Sequence, residues 1–243
     1  MPLGEKAQIV FNVKDLKESV AFYRRIGFRL LSQQIKDKDW ALLTDDAIFI
    51  LLNEDDETFS GITYLAPDMP QRAAGLEQSG LTFEDAQTSD DGIIQATLYD
   101  PNGIGVSLVR FNPTGLPNLD LNTETRCGIF GEYFIATDDY NKSVEFWKNL
   151  TFQPLHTQQT PYPHGVFSDG HLIIGLHERD AEFDKPALSY FAPDMEMRLN
   201  GMKLEDIEFA KEYQDDDGKV RNAVLQSPDG YPIFLFQGDF SAD

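Results

Sequence analysis

Few stretches of this 243-residue sequence combine residue types and spacings that could support metal or nucleophilic chemistry. The clearest metal-like pattern is the acidic run DDDGKVRNAVLQ at residues 215–226. It begins like a calcium-binding loop, but its sixth residue is Val220 where such a loop has glycine. Its twelfth is Gln226, where a bidentate glutamate is needed. The run therefore predicts a hairpin turn.

The cysteine and the histidines are the remaining side chains that could do chemistry. Cys127 has no histidine at a spacing typical of a thiol nucleophile, so we expect no catalytic role for it. His156 and His164 lie in or next to a proline-rich segment, where exposure to solvent is expected. His171 and His177 lie near the two ends of the apolar run HLIIGLHE, which predicts a strand.

The composition excludes several classes of partner. With 41 acidic and 20 basic residues the formal charge is −21, which opposes binding to nucleic acid or to anionic membranes and is compatible with a cationic ligand. No apolar run reaches membrane-spanning length, and the N-terminus does not resemble a secretion signal. A single cysteine cannot form an internal disulfide. We therefore expect a cytoplasmic protein.

A repeat reveals the elements that must position any site. The stretch KDLKESVAFYRRIGF, residues 14–28, returns 124 positions later as DDYNKSVEFWKNLTF. Each copy follows a short run of β-branched and aromatic residues, so each predicts a strand followed by an amphipathic helix. Asp15 is expected to cap the first helix together with Glu18, and Gly27 to end it.

Each half of the chain shows the order strand–helix–strand–strand–strand twice. Turn sequences at residues 100–103 and 227–230 precede the last strand of each half. The segment NPTGLPNLDLNTETR, residues 112–126, lacks periodicity and predicts a linker. We therefore predict one domain over residues 1–111 and a second over residues 127–243, each built from two copies of one unit.

These features resemble the vicinal oxygen chelate superfamily, which includes glyoxalase I, bleomycin resistance proteins and extradiol dioxygenases. The resemblance rests on the strand and helix from Val13 to Phe28, on the Asp-Pro-Asn-Gly strand from Asp100 to Val109, and on their looser counterparts in the second half. It implies an α+β fold: two tandem domains, each of two βαβββ modules that form a curved mixed sheet, or cup, with helices outside.

The resemblance also identifies the positions where metal-dependent relatives place their ligands. In the first half these are Gln8, Leu51, Gly61 and Ser107, and in the second half Glu132, Gly175, Ala187 and Phe234. Ring-cleaving dioxygenases use three of the second-half positions, here Glu132, Ala187 and Phe234. A divalent metal needs oxygen or nitrogen ligands, which Ala and Phe do not supply. We therefore expect no metal and no other cofactor.

Residues two apart on a strand share a face, so each cup can be extended from these positions. The first cup is then lined by Gln8, Val10, Asn12, Leu51, Asn53, Gly61, Thr63 and Ser107. The second is lined by Glu132, Phe134, Gly175, His177, Ala187, Ser189, Phe191, Phe234 and Phe236. We predict ligand contacts for Gln8, Asn12, Asn53, Ser107, Glu132, Phe134, His177, Ser189 and Phe234.

Glu132 and His177 are the two candidates for catalysis. One hypothesis is that they meet inside the second cup, as an acid–base pair or as ligands of a displaced metal with His171. The alternative is that His177 lies at a strand end in solvent and that Glu132 reaches the rim or pairs with a Lys or Arg.

Three functions follow from the resemblance. The preferred one is binding of a small organic molecule, including a cationic one, without the usual metal, as in bleomycin resistance proteins. The second is a lyase or ring-cleaving dioxygenase in which Glu132, His177 and Gln8 support a rearranged divalent site. The third is a structural or regulatory protein with closed cups. Such domains pair within one chain or between chains, so a homodimer is compatible with each function.

Overall fold

The computed structural model describes residues 2–36, 38–179 and 184–240. The first half of the chain forms an eight-stranded sheet and two helices. In chain order these are β1 (Lys6–Val13), α1 (Leu16–Arg25), β2 (Arg29–Gln34), β3 (Trp40–Thr44), β4 (Phe49–Glu54), β5 (Ser60–Ala66), α2 (Met69–Gln78), β6 (Asp85–Ser89), β7 (Gly92–Tyr99) and β8 (Gly105–Arg110).

The second sheet repeats this order in the remainder of the chain. It contains β9 (Glu124–Thr125), β10 (Gly128–Thr137), α3 (Tyr140–Asn149), β11 (Gln153–Gln158), β12 (His164–Ser168), β13 (Ile173–Glu178), β14 (Ala187–Ala192), α4 (Met195–Leu204), β15 (Lys211–Gln214), β16 (Val220–Gln226) and β17 (Pro232–Gln237).

The two sheets have the same topology. Their strand orders are β2-β3-β4-β1-β5-β8-β7-β6 and β11-β12-β13-β10-β14-β17-β16-β15, and β9 pairs with the start of β10. In the first sheet β1 pairs in parallel with β4 and antiparallel with β5, and in the second sheet β10 pairs in the same way with β13 and β14. The predicted α+β fold of two tandem domains with mixed, open sheets is therefore confirmed.

The repeated stretch forms the same local structure twice. Asp15 caps α1 by accepting a hydrogen bond from the Glu18 backbone N–H at 2.8 Å, and Asp139 caps α3 through Lys142 N–H at 3.1 Å. Gly27 follows α1 with a φ of 109°, a conformation that favours glycine. The helices pack on one face of each sheet, which leaves the opposite, concave face for the cup.

The two halves are joined by one hydrophobic core and by reciprocal hydrogen bonds. The ring of Phe11 lies 4.5 Å from that of Tyr231, so the outer faces of the sheets meet. Tyr64 donates to Asp169 across the junction, and Tyr190 donates to Asp45, both at 2.6 Å. Burial raises the pKa of Asp45 and also raises the pKa of Tyr190 well above its usual value.

The predicted linker has local structure of its own. A 3₁₀ turn spans Pro113–Gly115, and β9 at the other end joins the second sheet. The side chain of Lys6 holds the segment by donating to the Pro117 carbonyl at 3.2 Å and to Asn118 Oδ1 at 2.8 Å. The domain boundaries remain a prediction, and their outermost ends, residue 1 and residues 241–243, lie outside the described residues.

Candidate functional site

Pairing between strands places equivalent residues of the two cups in matched rows. In the first cup one row crosses the sheet through Gln8, Thr63, Ser107 and Thr97. The same row of the second cup consists of Glu132, Ser189, Phe234 and Val224. The first row is uncharged and polar, whereas the second has a carboxylate, one hydroxyl and two apolar side chains.

The first cup contains two adjoining cavities of about 340 and 410 Å³. Both are lined by Gln8, Leu51, Asn53, Leu65 and Val109. The 340 Å³ cavity is otherwise mainly apolar, with Trp40, Leu42, Phe111, Leu116 and Ser32. The 410 Å³ cavity adds Thr63, Thr97, Ser107, Gln95, Tyr99, Val10 and Phe59. The first cup is thus an open, concave surface with an apolar part and a polar part.

The two amide side chains that line both cavities lack hydrogen-bond partners within the described part of the chain. Gln8 is 7% exposed, and neither its amide nor that of half-buried Asn53 bonds to another group in the described part of the chain. Asn12, by contrast, donates to the Glu57 carbonyl at 3.0 Å, and the Ser107 hydroxyl lies 3.0 Å from that of Thr97. Gln8 and Asn53 are therefore available to a ligand from both cavities, and Gln95 and Thr63 are available from the 410 Å³ cavity.

The second cup is filled by its own side chains. Phe134, Ala136, Ala187, Val224 and Phe234 form a small buried hydrophobic cluster, with Phe236 packed against it. The rings of Phe134 and Phe234 lie 5.4 Å apart, edge to face. The side chains that the sequence suggested as walls of an aromatic pocket therefore pack against one another on the floor of the cup.

Glu132 and His177 meet within this cup. His177 Nε2 donates to Glu132 Oε1 at 2.8 Å, and the two side chains are 14% and 8% exposed. The carboxylate of Glu132 occupies the space where a Cβ on Gly175 would lie, so a side chain at this position would displace the carboxylate. The hydroxyl of Ser189, which pairs with Glu132 in register, and Nδ1 of His177 are buried without a partner among the described residues.

Two of the expectations for histidines are wrong. His164 is half-buried rather than exposed, because β12 pairs with β13 and places His164 opposite His177, with the rings stacked 5.4 Å apart. His171 lies before β13, at the strand end opposite to His177, and its backbone N–H donates to Asp169. The structure thus brings His164, not His171, to the Glu132–His177 pair. His156 is exposed, as predicted.

The residues at the family's metal positions do not fit a metal. Ala187 and Phe234 are buried carbon side chains, and the Gly175 position is covered by the carboxylate of Glu132. Gln8, the third residue of the rearranged site, lies in the other sheet. Within the described ranges, no three His, Cys, Asp or Glu side chains come together as a metal site requires.

Sequence reasoning missed part of the first cup. Alternation along β3 could have identified Trp40 and Leu42, since both face the same side as the predicted residues. Phe111 and Leu116 follow the last strand, where no periodicity indicates a direction. A hairpin that turns at Asp169–Gly170 would have predicted the position of His164 opposite His177.

Comparisons with known proteins support the fold. No protein-family model and no curated protein sequence matches this chain. Among solved structures, a catechol 2,3-dioxygenase matches with a TM-score of 0.63 at 14% identity, covering 100% of this chain and 90% of that one. The 2,2′,3-trihydroxybiphenyl 1,2-dioxygenase of Sphingomonas wittichii RW1 gives 0.63 at 16%, with 98% and 90% covered. The 2,3-dioxygenase LapB of Pseudomonas sp. KL28 gives 0.60 at 14%, with 97% and 91% covered.

No helix among the described residues is long and apolar enough to cross a bilayer. The similar structures cover both halves of the chain, but their sequence identity to it is too low to assign their activity to this protein. This chain therefore has the two-domain fold of these ring-cleaving dioxygenases.

Proposed function

We propose that this protein binds a small organic molecule in the first cup, without the metal that the superfamily resemblance implies. The observation that supports this most strongly is the pair of adjoining cavities, which share Gln8 and Asn53, two amides without partners. Ligand sites are typically concave, largely apolar and equipped with a few convergent polar groups. The second cup has a buried aromatic floor instead. Binding therefore belongs to the first half.

A thermal-shift screen with small neutral and charged molecules tests this proposal, because a ligand that binds only the folded state raises the melting temperature. Val109 lines both cavities, so Val109→Trp should fill the cup and weaken every hit at least tenfold. Phe236 occupies the equivalent position of the second sheet, and Phe236→Trp is the matched control. Hits that are lost in the control and kept in Val109→Trp would refute binding in the first cup.

A second candidate function is enzymatic, as a lyase or a ring-cleaving dioxygenase. It is favoured by the 2.8 Å contact between His177 and Glu132, because a buried imidazole held by a carboxylate is an arrangement suited to proton transfer. The dioxygenase fold supports it as well. Ala187 and Phe234 at the metal positions count against it.

Metal analysis separates the two functions. Protein purified without chelators should carry a near-stoichiometric divalent ion if the enzymatic function is correct, and oxygen uptake with catechols should depend on Glu132 and His177. We expect neither result.

A homodimer is tested by light scattering over a range of protein concentrations, with a molecular mass near 27.5 kDa expected for the monomer.

A further inference from the structure

Among the described residues, the side chains that line the first cup carry no formal charge. We infer that the ligand is an uncharged, largely apolar molecule that carries a group able both to donate and to accept hydrogen bonds, such as a carboxamide. This inference rests on the proposed binding function of the first cup. It names the class of ligand that the Gln8 and Asn53 amides select.

The uncharged lining is unusual for a chain in which 25% of residues are charged. Lys6 is the charged residue nearest to Gln8 on the same side of β1, and its ammonium is bound by Pro117 and Asn118 of the linker. A charged ligand would lose its hydration on entry and find no countercharge in the lining. The lining therefore disfavours ions at the level of Gln8, and the nearest carboxylate of the same row is that of exposed Asp85, beyond Thr97.

The free amides determine which neutral groups are favoured. Gln8 is 7% exposed and its amide remains accessible to solvent at the surface of the cavity, so a ligand that displaces water from it must replace the hydrogen bonds of that water. Each side-chain amide offers N–H donors and a carbonyl acceptor. A ligand group with both functions can therefore satisfy an amide completely, whereas a simple hydrocarbon leaves it unpaired.

The positions of the amides indicate an elongated ligand. Asn53 pairs in register with Asn12, and Gln8 lies four residues earlier on β1, so the two levels are separated by roughly 13 Å along the strand. Leu51 and Val109 lie among the lining residues shared by both cavities, with Trp40 on the apolar side. A ligand about two rings long is shorter than this separation, so it would contact one amide, with its rings against the apolar part and its polar group at Gln8.

Four probes with one ring system test the inference by isothermal titration calorimetry at pH 7. They are 2-naphthamide, naphthalene, 2-naphthoate and 2-naphthylmethylammonium, which differ in charge and in hydrogen-bonding groups but little in size. We expect 2-naphthamide to bind at least tenfold more tightly than either ion and about fivefold more tightly than naphthalene. The variant Val109→Trp should abolish this binding.

The variant Gln8→Leu keeps the size of the side chain and removes its amide. It should weaken 2-naphthamide about fivefold and leave naphthalene unchanged, whereas Glu132→Gln at the matched position of the second cup should change neither. An ion that binds as tightly as the amide, in a manner abolished by Val109→Trp, would overturn the neutral-ligand inference and leave the binding function intact. Absence of binding by 2-naphthamide overturns the inference also, while the binding function itself is decided by the wider screen.

Discussion

The two cups share one backbone topology and differ in what their matched positions contain. Gln8 of the first cup has no partner, whereas its counterpart Glu132 is bonded to His177 and covers Gly175. Ser107 faces a cavity, whereas its counterpart Phe234 is buried among other rings. One scaffold therefore carries an open concave surface in one half and a packed cluster in the other, where Ser189 Oγ and His177 Nδ1 are buried without partners among the described residues. The backbones differ as well, because β10 has a bulge between Phe130 and Glu132 that β1 lacks.

The largest difference in stability is expected from removing the matched polar residues. Glu132→Ala deletes a buried carboxylate, leaves His177 Nε2 unpaired and opens a void above Gly175, which should cost about 2–3 kcal/mol. Gln8→Ala removes an amide without a partner and should cost less than about 1 kcal/mol. Urea unfolding of both variants measures this contrast. Equal losses would show that the cups do not differ as described.

A smaller effect is expected at the position next to this pair. Gly175→Ala places a methyl group where the Glu132 carboxylate lies, so the side chain must move away from His177, at a cost of about 1–2 kcal/mol. Its counterpart Leu51 lines the open cavities, and Leu51→Ala should cost about 1 kcal/mol or less. Differential scanning calorimetry compares the two. An unaltered melting temperature for Gly175→Ala would contradict the close contact.

An effect of about 1 kcal/mol is expected at alkaline pH from a single thiol. Burial raises the pKa of Cys127 to about 12 from an ordinary value near 9. Because the folded pKa is the higher one, the contribution of the thiol is complete below pH 9 and is lost as the pH rises toward 12. Stability should fall by about 1 kcal/mol between pH 9 and pH 10 through this group.

Unfolding midpoints measured across this range test the alkaline effect. The variant Cys127→Ala should show a shallower decline than the natural sequence, with the remainder coming from buried tyrosines such as Tyr23 and Tyr133, whose pKa values burial also raises. Identical slopes would indicate that the thiol ionises as easily in the folded chain as in the unfolded one.

The smallest effect is expected at the rim. His164 stacks on His177 at 5.4 Å, and its counterpart Trp40 faces the open cavity. His164→Ala should cost about 0.5–1 kcal/mol of stability and leave ligand affinity unchanged. Trp40→Ala should weaken the binding of aromatic ligands more than it changes stability. A loss of ligand affinity in His164→Ala, with unchanged affinity in Trp40→Ala, would contradict this prediction.

The sequence predicted the framework well because the framework depends on periodicity. Strand alternation correctly placed Gln8 and Glu132 on the concave faces, and the repeat around Asp15 and Asp139 predicted both capped helices. These features are local, or they follow from a period of two along a strand. The fold class could therefore be predicted from residue patterns together with a family resemblance.

Whether each cup is open or filled by its own side chains could not be predicted from residue patterns. Whether Glu132 faces open space or lies over Gly175 depends on a rotamer that pairing with His177 selects across two strands. The burial of His164 depends on the register of the hairpin between β12 and β13, which places it opposite His177. Contacts of this kind depend on three-dimensional packing, so residue identity alone leaves them open.

Leu116 reaches the first cup from the segment that joins the two halves, and Lys6 fastens that segment to the first strand. The proposed binding surface is consequently a property of the continuous polypeptide and is not contained in the amino-terminal half alone. Expression of that half cut after residue 111 would yield a sheet with one wall of its cavity missing. Among chains of this architecture, variation in the connecting segment would then be a direct route to altered ligand preference, with the strands themselves unchanged.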